Sequence, residues 1–374
     1  MVTLIFSRPG REKIRNCTGL ISMKTIACNA PYGQGGMGRH LAQVVEEARA
    51  EGVLKTYYAY AVKPGDEAHG EVISRRAFQV LRRYTPLRFY WGWRNQVGAD
   101  LFDRIVARRL TAPLDAHLGF GGRALHSFRR ARALGAERLE LVAANSHVRN
   151  VVQRHTEAIR RYGLEGRWLN EGQCRKTIKE YEAADVIYVA SEYTRQSFLA
   201  EGVSAGKLRT IRYTVDPHFT PAPEHRPDDG VFRVVYVGSL TVAKGLPVLL
   251  EAFARLPVKE AELTLVGDAA SPSMRRHLAR ITAQDPRIRL RPGDPLPHLR
   301  RADVCVHPSY EDGFAYAPME ALACGVPVIV TEDTGMKEHV EEGRNGYVVP
   351  TGDVEAVIAR LEHLKRHPLM CSSV

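Results

Sequence analysis

The chain has 374 residues, 44% hydrophobic and 25% charged, a balance that argues for a soluble globular protein and against a disordered, collagenous or membrane-spanning one. Its net charge of +11 is uneven: residues 1–170 carry 28 Lys and Arg against 14 Asp and Glu, and the remainder 25 against 28. A basic front half points to an anionic counterpart such as a membrane surface, an acidic sugar, a lipid phosphate or a nucleic acid, with a solvated Arg-rich surface as the alternative.

At roughly 100–200 residues per domain the length suggests two domains, with one barrel of about 250 residues plus additions as the competing arrangement. The six cysteines, Cys17, Cys28, Cys174, Cys305, Cys324 and Cys371, form no C-x-x-C pair, so neither a disulfide framework nor a zinc site is expected. No apolar stretch approaches the ~18 residues that cross a bilayer, and Leu4 to Phe6 is too short for a secretory core. A cytoplasmic location is expected. Residues 1–22 are polar and aperiodic and precede M-K-T-I-A-C-N from Met23; they read as a disordered upstream extension, with Met23 as the true start.

From Lys24 the elements come in order. An apolar strand (Thr25 to Ala30) runs into a glycine-rich turn (Gly33 to Gly38) and a helix with Leu41, Val44, Val45 and Ala48 at helical spacing. Further strands are expected at Lys55 to Val62, Leu114 to Phe120, Leu139 to Ala144 and Val186 to Ala190, with helices at Ala124 to Leu134 and Gln173 to Ala184. The Arg- and aromatic-rich segment from Phe78 to Arg109 fits neither period. Residues 216–230 hold four prolines among polar residues, the composition of a linker between domains 23–215 and 231–374. Strands are then expected at Val231 to Val237, Leu263 to Val266, Ile288 to Leu290, Val304 to His307, Val326 to Val330 and Gly346 to Val349. Alternation on both sides of a linker gives an α/β protein of two parallel-sheet domains, with ligand crevices at the carboxyl ends of the strands.

Three motifs carry chemistry. The loop G-Q-G-G-M-G (Gly33, Gly35, Gly36, Gly38) contains G-x-G-x-x-G. The second strand ends in A-V-K-P, without the acidic residue a dinucleotide ribose requires, which disfavours an NAD enzyme. A glycine loop opening a helix still offers amides to an anion, and a plain tight turn is the alternative. In Y-V-G-S-L-T-V-A-K-G-L (Tyr236 to Leu246), Lys244 at a helix start can reach a phosphate. In H-P-S-Y-E-D-G-F-A-Y-A-P-M-E-A-L-A-C-G-V-P-V-I (His307 to Ile329), seven residues separate Asp312 from Glu320, so a loop carboxylate and a helix carboxylate can address one crevice.

Together with S-E-Y-T-R-Q-S-F (Ser191 to Phe198), Y-T-V-D-P (Tyr213 to Pro217) and G-M-K-E-H-V-E-E-G-R-N-G-Y-V-V-P (Gly335 to Pro350), this order of motifs resembles glycosyltransferase family 4, from Met23 to about His367. The resemblance implies the GT-B fold, two Rossmann-like domains facing across a cleft, the C-terminal one binding a nucleotide-sugar donor and the N-terminal one an acceptor. It places the diphosphate lysine on Lys244, the ribose-binding glutamate on Glu320, and the donor-sugar loop on Asp312, Gly313, Phe314 and Ala315. Gly35, Gly36 and Gly38 fall in the loop lining the donor phosphates, and His147 falls where the family has a histidine near the transferred sugar, with a satisfied buried histidine as the alternative.

There are departures from the family pattern. Asp312 stands for the first acid of the usual E-x7-E pair, with Glu311 one place too far away. Ser239, in the donor loop, stands where an arginine is common, Thr214 replaces a glycine, and the chain stops at C-S-S-V soon after the helix Val354 to Lys365, before the helix that usually crosses back. The resemblance implies a retaining transferase moving a sugar from a nucleotide-diphosphate sugar to a glycan or lipid-linked acceptor in cell-surface polysaccharide or glycolipid synthesis. With no D-x-D in the chain, no metal and no cofactor are expected. A truncated, nucleotide-binding but vestigial GT-B protein is the alternative. The basic half suggests a peripheral position on an anionic membrane, and dispersed arginines without a recognised motif speak against nucleic acid.

Overall fold

The computed structural model describes residues 23–85, 90–222, 229–269 and 271–369, the side chain of Ala77 excepted. The expected N-terminal extension, the middle of the expected linker and the last five residues lie outside the described residues.

The first sheet is built from β1 (Lys24–Ala27), α1 (Gly35–Ala50), β2 (Leu54–Ala59), β3 (Gly70–Val72), α2 (Arg76–Tyr84), α3 (Trp91–Arg109), β4 (Ala116–Phe120), α4 (Leu125–Ala133), β5 (Arg138–Ala143), α5 (Val148–Tyr162), α6 (Glu171–Ala183), β6 (Val186–Val189), α7 (Glu192–Ala200) and β7 (Leu208–Thr210). Its strand order is β3-β2-β1-β4-β5-β6-β7, parallel throughout. The second comprises β8 (Phe232–Val237), α8 (Leu246–Arg255), β9 (Ala261–Val266), α9 (Pro272–Gln284), β10 (Ile288–Leu290), α10 (Leu296–Leu299), β11 (Val304–His307), α11 (Tyr316–Ala323), β12 (Val328–Thr331), β13 (Gly346–Val349) and α12 (Val354–Arg366). Its order is β10-β9-β8-β11-β12-β13, again parallel.

Central strands such as β4, β11 and β12 are buried along their whole length, because helices cover both faces of a parallel sheet. Each sheet also reverses its order beside its first strand, which opens a crevice at the carboxyl ends of the strands. The segment 78–109, which sequence periodicity leaves unassigned, forms α2 and α3. The apolar positions Val80, Leu81 and Tyr84 of α2 remain exposed among the described residues, leaving an amphipathic helix with an uncovered apolar side.

α4 has no side-chain cap of its own. Instead Glu180 of α6 accepts from the amides of Gly122, Ala124 and Leu125, and Asp103 of α3 accepts from those of His126 and Ser127. Two buried carboxylates thus serve the orphan donors of one helix start. Burial pushes the Glu180 carboxyl up to about 7, against the pull of Lys176.

Candidate active site

The carboxyl ends of β8 and β11 lie side by side and launch the two loops that carry the candidate chemistry. After β8 the chain turns through Gly238 and the exposed Ser239 to Lys244, just ahead of α8. After β11 it passes through Glu311, Asp312 and Gly313 into α11. The structure brings Lys244 and Asp312 into contact: Lys244 Nζ lies 2.7 Å from Asp312 Oδ2 and 3.2 Å from the Glu311 carbonyl. His307, the last residue of β11, places Nε2 3.1 Å from the same Asp312 oxygen. Burial opposes ionisation of Asp312, but the Lys244 ammonium and His307 hold its carboxyl well below the usual aspartate range.

Glu311, which motif spacing sets one residue out of register, is fully buried and crosses to the N-terminal domain. It accepts from Asn145 Nδ2 and the Ser146 amide, both at 2.8 Å. Burial raises its carboxyl above the ordinary range, the nearby Lys244 opposing.

Glu320, on α11, is 1% exposed and pairs with Arg39 from the first turns of α1. One of its oxygens, Oε2, is buried without a partner. Burial raises the Glu320 carboxyl, partly offset by Arg39. The Arg39 guanidinium also lies over the Tyr316 ring, 5.0 Å from its centroid. The glycine loop of the first domain and the start of α11 therefore face each other: a Cβ on Gly36 would stand 3.8 Å from the Tyr316 ring. α1 has no side-chain cap and no acid in its first turn, which leaves its terminal amides open to an anion.

Three sequence expectations change. His147 does not join this cluster: it is the N-cap of α5, its Nδ1 accepting from the Arg149 amide, and its ring packs edge-on against Phe198 and tilted against Tyr181. Burial pushes its pKa down to about 4, in keeping with a ring packed among aromatic side chains. Gly38 is a packing glycine, because a Cβ there would stand 2.0 Å from the Pro31 carbonyl oxygen. Phe314 packs its ring within the protein, stacking on Tyr213 at 4.5 Å with Tyr316 and His339 edge-on.

What the 313–315 loop offers is backbone. A Cβ on Gly313 would fall 2.0 Å from the Ala144 carbonyl oxygen, so only glycine lets the loop dock on the N-terminal domain. The Gly313 carbonyl accepts from Ser191 Oγ at 2.7 Å and Thr194 Oγ1 at 3.3 Å. Ala315 holds φ +67°, the one non-glycine residue with positive φ among the described residues, a strained turn into α11 that these contacts sustain.

The same seam continues outward. Glu338 accepts from the Glu192 and Tyr193 amides at the start of α7, and Arg154 of α5 meets Asp333 at 2.9 Å. Glu165 accepts from the Val242 amide and Ser271 Oγ. Sequence reasoning missed Arg39, Asn145, Arg154 and His307. Apart from His307, whose partner is five residues away, their partners lie on the opposite domain, and only the Ser191 and Gly335 motifs hinted at that seam.

Residues 231–367 match the model of the family Glycosyl transferases group 1. A D-inositol 3-phosphate glycosyltransferase of Pseudarthrobacter chlorophenolicus is 31% identical over 186 residues, 45% of this chain and 41% of that protein. The capsular polysaccharide biosynthesis glycosyltransferase CapM of Staphylococcus aureus is 26% identical over 166 residues, covering 43% and 44%. The chain thus spans less than half the length of these curated relatives. Among solved structures, the sucrose-phosphate synthase of Thermosynechococcus elongatus superposes with a TM-score of 0.67 at 17% identity, over 94% of this chain and 92% of that one. HepE of Anabaena, in complex with UDP and glucose, superposes with a TM-score of 0.66 at 16% identity, over 92% and 90%. Residues 231–367 are thus similar to the group 1 glycosyl transferases, and the chain as a whole has the GT-B fold of the solved structures it superposes on.

Proposed function

We propose that the protein is a retaining glycosyltransferase that moves a sugar from a nucleoside-diphosphate sugar to a glycan or lipid-linked acceptor in cell-surface polysaccharide or glycolipid synthesis. The observation that carries this reading is a pair of sites on the C-terminal side of the cleft. Lys244 stands at the carboxyl ends of β8 and β11, and Glu320 keeps one buried oxygen without a donor. A diphosphate would draw the Lys244 ammonium from Asp312, and a ribose hydroxyl would supply the hydrogen bond that Glu320 Oε2 lacks.

The chemistry follows from where charge develops. As the anomeric carbon–oxygen bond breaks, negative charge grows on the leaving diphosphate, where Lys244 and the open amides of α1 lie preorganised. The acceptor oxygen bonds to the anomeric carbon from the same face, and its proton passes to a leaving phosphate oxygen. Lys244 supplies the positive charge, and we assign no metal to the reaction. Among the named relatives, CapM is a capsular polysaccharide biosynthesis glycosyltransferase, which supports the cell-surface role.

A peripheral place on an anionic membrane belongs to the same reading. α2 exposes Val80, Leu81 and Tyr84 while carrying Arg76, Arg82 and Arg83, the pattern of a helix that lies in a lipid interface. No helix among the described residues is long and apolar enough to cross a membrane.

The test is turnover of UDP-, GDP- and ADP-sugars with a membrane extract as acceptor source, followed by NMR of the product anomer. Release of nucleoside diphosphate with a retained anomer supports the reading. An inverted product removes the retaining mechanism, and donor binding without release would leave a vestigial nucleotide-binding protein.

A further inference from the structure

A cavity of about 850 Å³ opens where the start of α3, the 166–171 loop and the first turn of α9 meet. Two of the chain's three tryptophans, Trp91 and Trp93, line it together with Tyr90, Arg94, Arg167 and Asn170. The third, Trp168, lies in the same loop and donates through Nε1 to His155 Nδ1. Ser271 at the cavity's rim donates to Glu165, which also accepts from the Val242 amide two residues before Lys244, and this sets the cavity close to the candidate cleft.

One of its basic groups, Arg94, is half-buried and has no acidic partner among the described residues; burial and then the like charge of Arg82 both weigh against its protonated form. Asn170 uses Oδ1 to cap α6, accepting from the Gln173 amide at 2.8 Å, while its Nδ2 is buried with no partner. α3 adds a 19-residue helix N-terminus with neither a side-chain cap nor an acid in its first turn. The acid at the rim, Glu171, pairs with Arg175 at 3.3 Å, and Arg149 pairs with Glu201. Beside these donors the mouth is aromatic and uncovered, with Tyr90 60% and Trp93 58% exposed, and it adjoins α2, whose Phe78 packs on Gly98 of α3.

We propose that this cavity is the acceptor site and that the acceptor is a phosphate-bearing amphiphile. Its phosphate sits between Arg94 and Arg167, and its apolar chain runs across Tyr90 and Trp93 toward the uncovered face of α2. The proposal rests on the transferase reading above. A neutral glycan would leave the half-buried Arg94 without an anion, and a free phosphate would have no use for the exposed aromatic mouth.

Because all three tryptophans lie in or beside the cavity, intrinsic emission reads its occupancy directly. The intact chain is titrated with farnesyl phosphate, with inorganic phosphate and with dodecyl maltoside below its micelle concentration. Farnesyl phosphate is expected to change the emission saturably and to bind at least tenfold tighter than either control. Combining Arg94→Gln with Arg167→Gln should weaken it at least tenfold while leaving stabilisation by a sugar nucleotide intact, and Lys244→Ala should do the reverse. Equal binding of inorganic phosphate or of the neutral detergent, or indifference to the double substitution, overturns the proposal. Farnesyl phosphate binding in a chain that no sugar nucleotide stabilises would keep the lipid-phosphate site and overturn its role as an acceptor site.

Discussion

Lys244 and Asp312, 68 positions apart, close an ion pair of 2.7 Å at the adjoining carboxyl ends of β8 and β11, with His307 on the same carboxylate oxygen. The cleft therefore keeps its main cation neutralised until an anion competes for it. Lys244→Ala is expected to lower activity by at least a hundredfold, because it removes charge stabilisation from the leaving group. It also leaves Asp312 buried with His307 as its remaining side-chain partner, so chemical denaturation should show a loss of about 3 kcal/mol, and adding Asp312→Asn should recover part of it. EDTA should leave the rate unchanged, and a rate restored only by a divalent cation would contradict the assignment of Lys244 as the compensating charge.

Gly36 and Gly38, two residues apart, should respond differently to a methyl group. Gly38→Ala drives a Cβ into the Pro31 carbonyl and is expected to cost about 2–3 kcal/mol of stability. Gly36→Ala meets nothing closer than the Tyr316 ring at 3.8 Å, so its melting temperature should stay near wild type while donor affinity falls. Equal effects on stability would contradict the division into a packing glycine and a cleft glycine.

Acid should destabilise this fold well above the carboxylate range. Burial pushes His40 and His155 down to about 3, and His117 and His147 down to about 4. In the unfolded chain each takes up its proton near pH 6.5, so between pH 6.5 and 4 the unfolded state binds more protons and stability falls as pH drops. For the fully buried His117 the gap corresponds to about 3 kcal/mol. His147→Asn keeps an N-cap acceptor but removes the titration, so urea unfolding from pH 7 to 4 should show a flatter decline. An unchanged slope would mean that His147 is not buried in its neutral form.

The uncovered face of α2 gives the membrane reading its own check. Sedimentation with vesicles containing anionic lipid should retain the protein at low salt and lose most of it by about 0.5 M salt, where the Debye length has shrunk to a few ångströms. Leu81→Glu combined with Tyr84→Glu should abolish retention without altering the melting temperature, since both side chains are exposed. Retention that ignores both salt and substitution would contradict it.

How far the sequence could be read depended on what each segment packs against. β11 and β12 were legible because strands buried on both faces are unbroken apolar runs, and Lys244, Asp312 and Glu320 because each falls in a compact local motif. β3 and β7, three residues each at a sheet edge, were too short and too exposed to carry a period. α2 hid because it is only nine residues long and lies in an Arg- and aromatic-rich run with no capping signal at either end. Arg39 and Asn145 could not be found because their partners, Glu320 and Glu311, are 281 and 166 residues away. His147 misled for the complementary reason: a histidine at the end of a strand looks the same in sequence whether its ring faces the cleft or, as here, the aromatic core formed by Tyr181 and Phe198.

The most direct measurement is the melting temperature of the purified chain and its Lys244→Ala variant against UDP, GDP, ADP and their common sugar conjugates. A donor present at about 100 times its dissociation constant stabilises by about 2.7 kcal/mol. The account predicts a clear upward shift with one sugar nucleotide that disappears in the variant. A chain that none of these ligands stabilises, or a shift that survives the loss of Lys244, would contradict it.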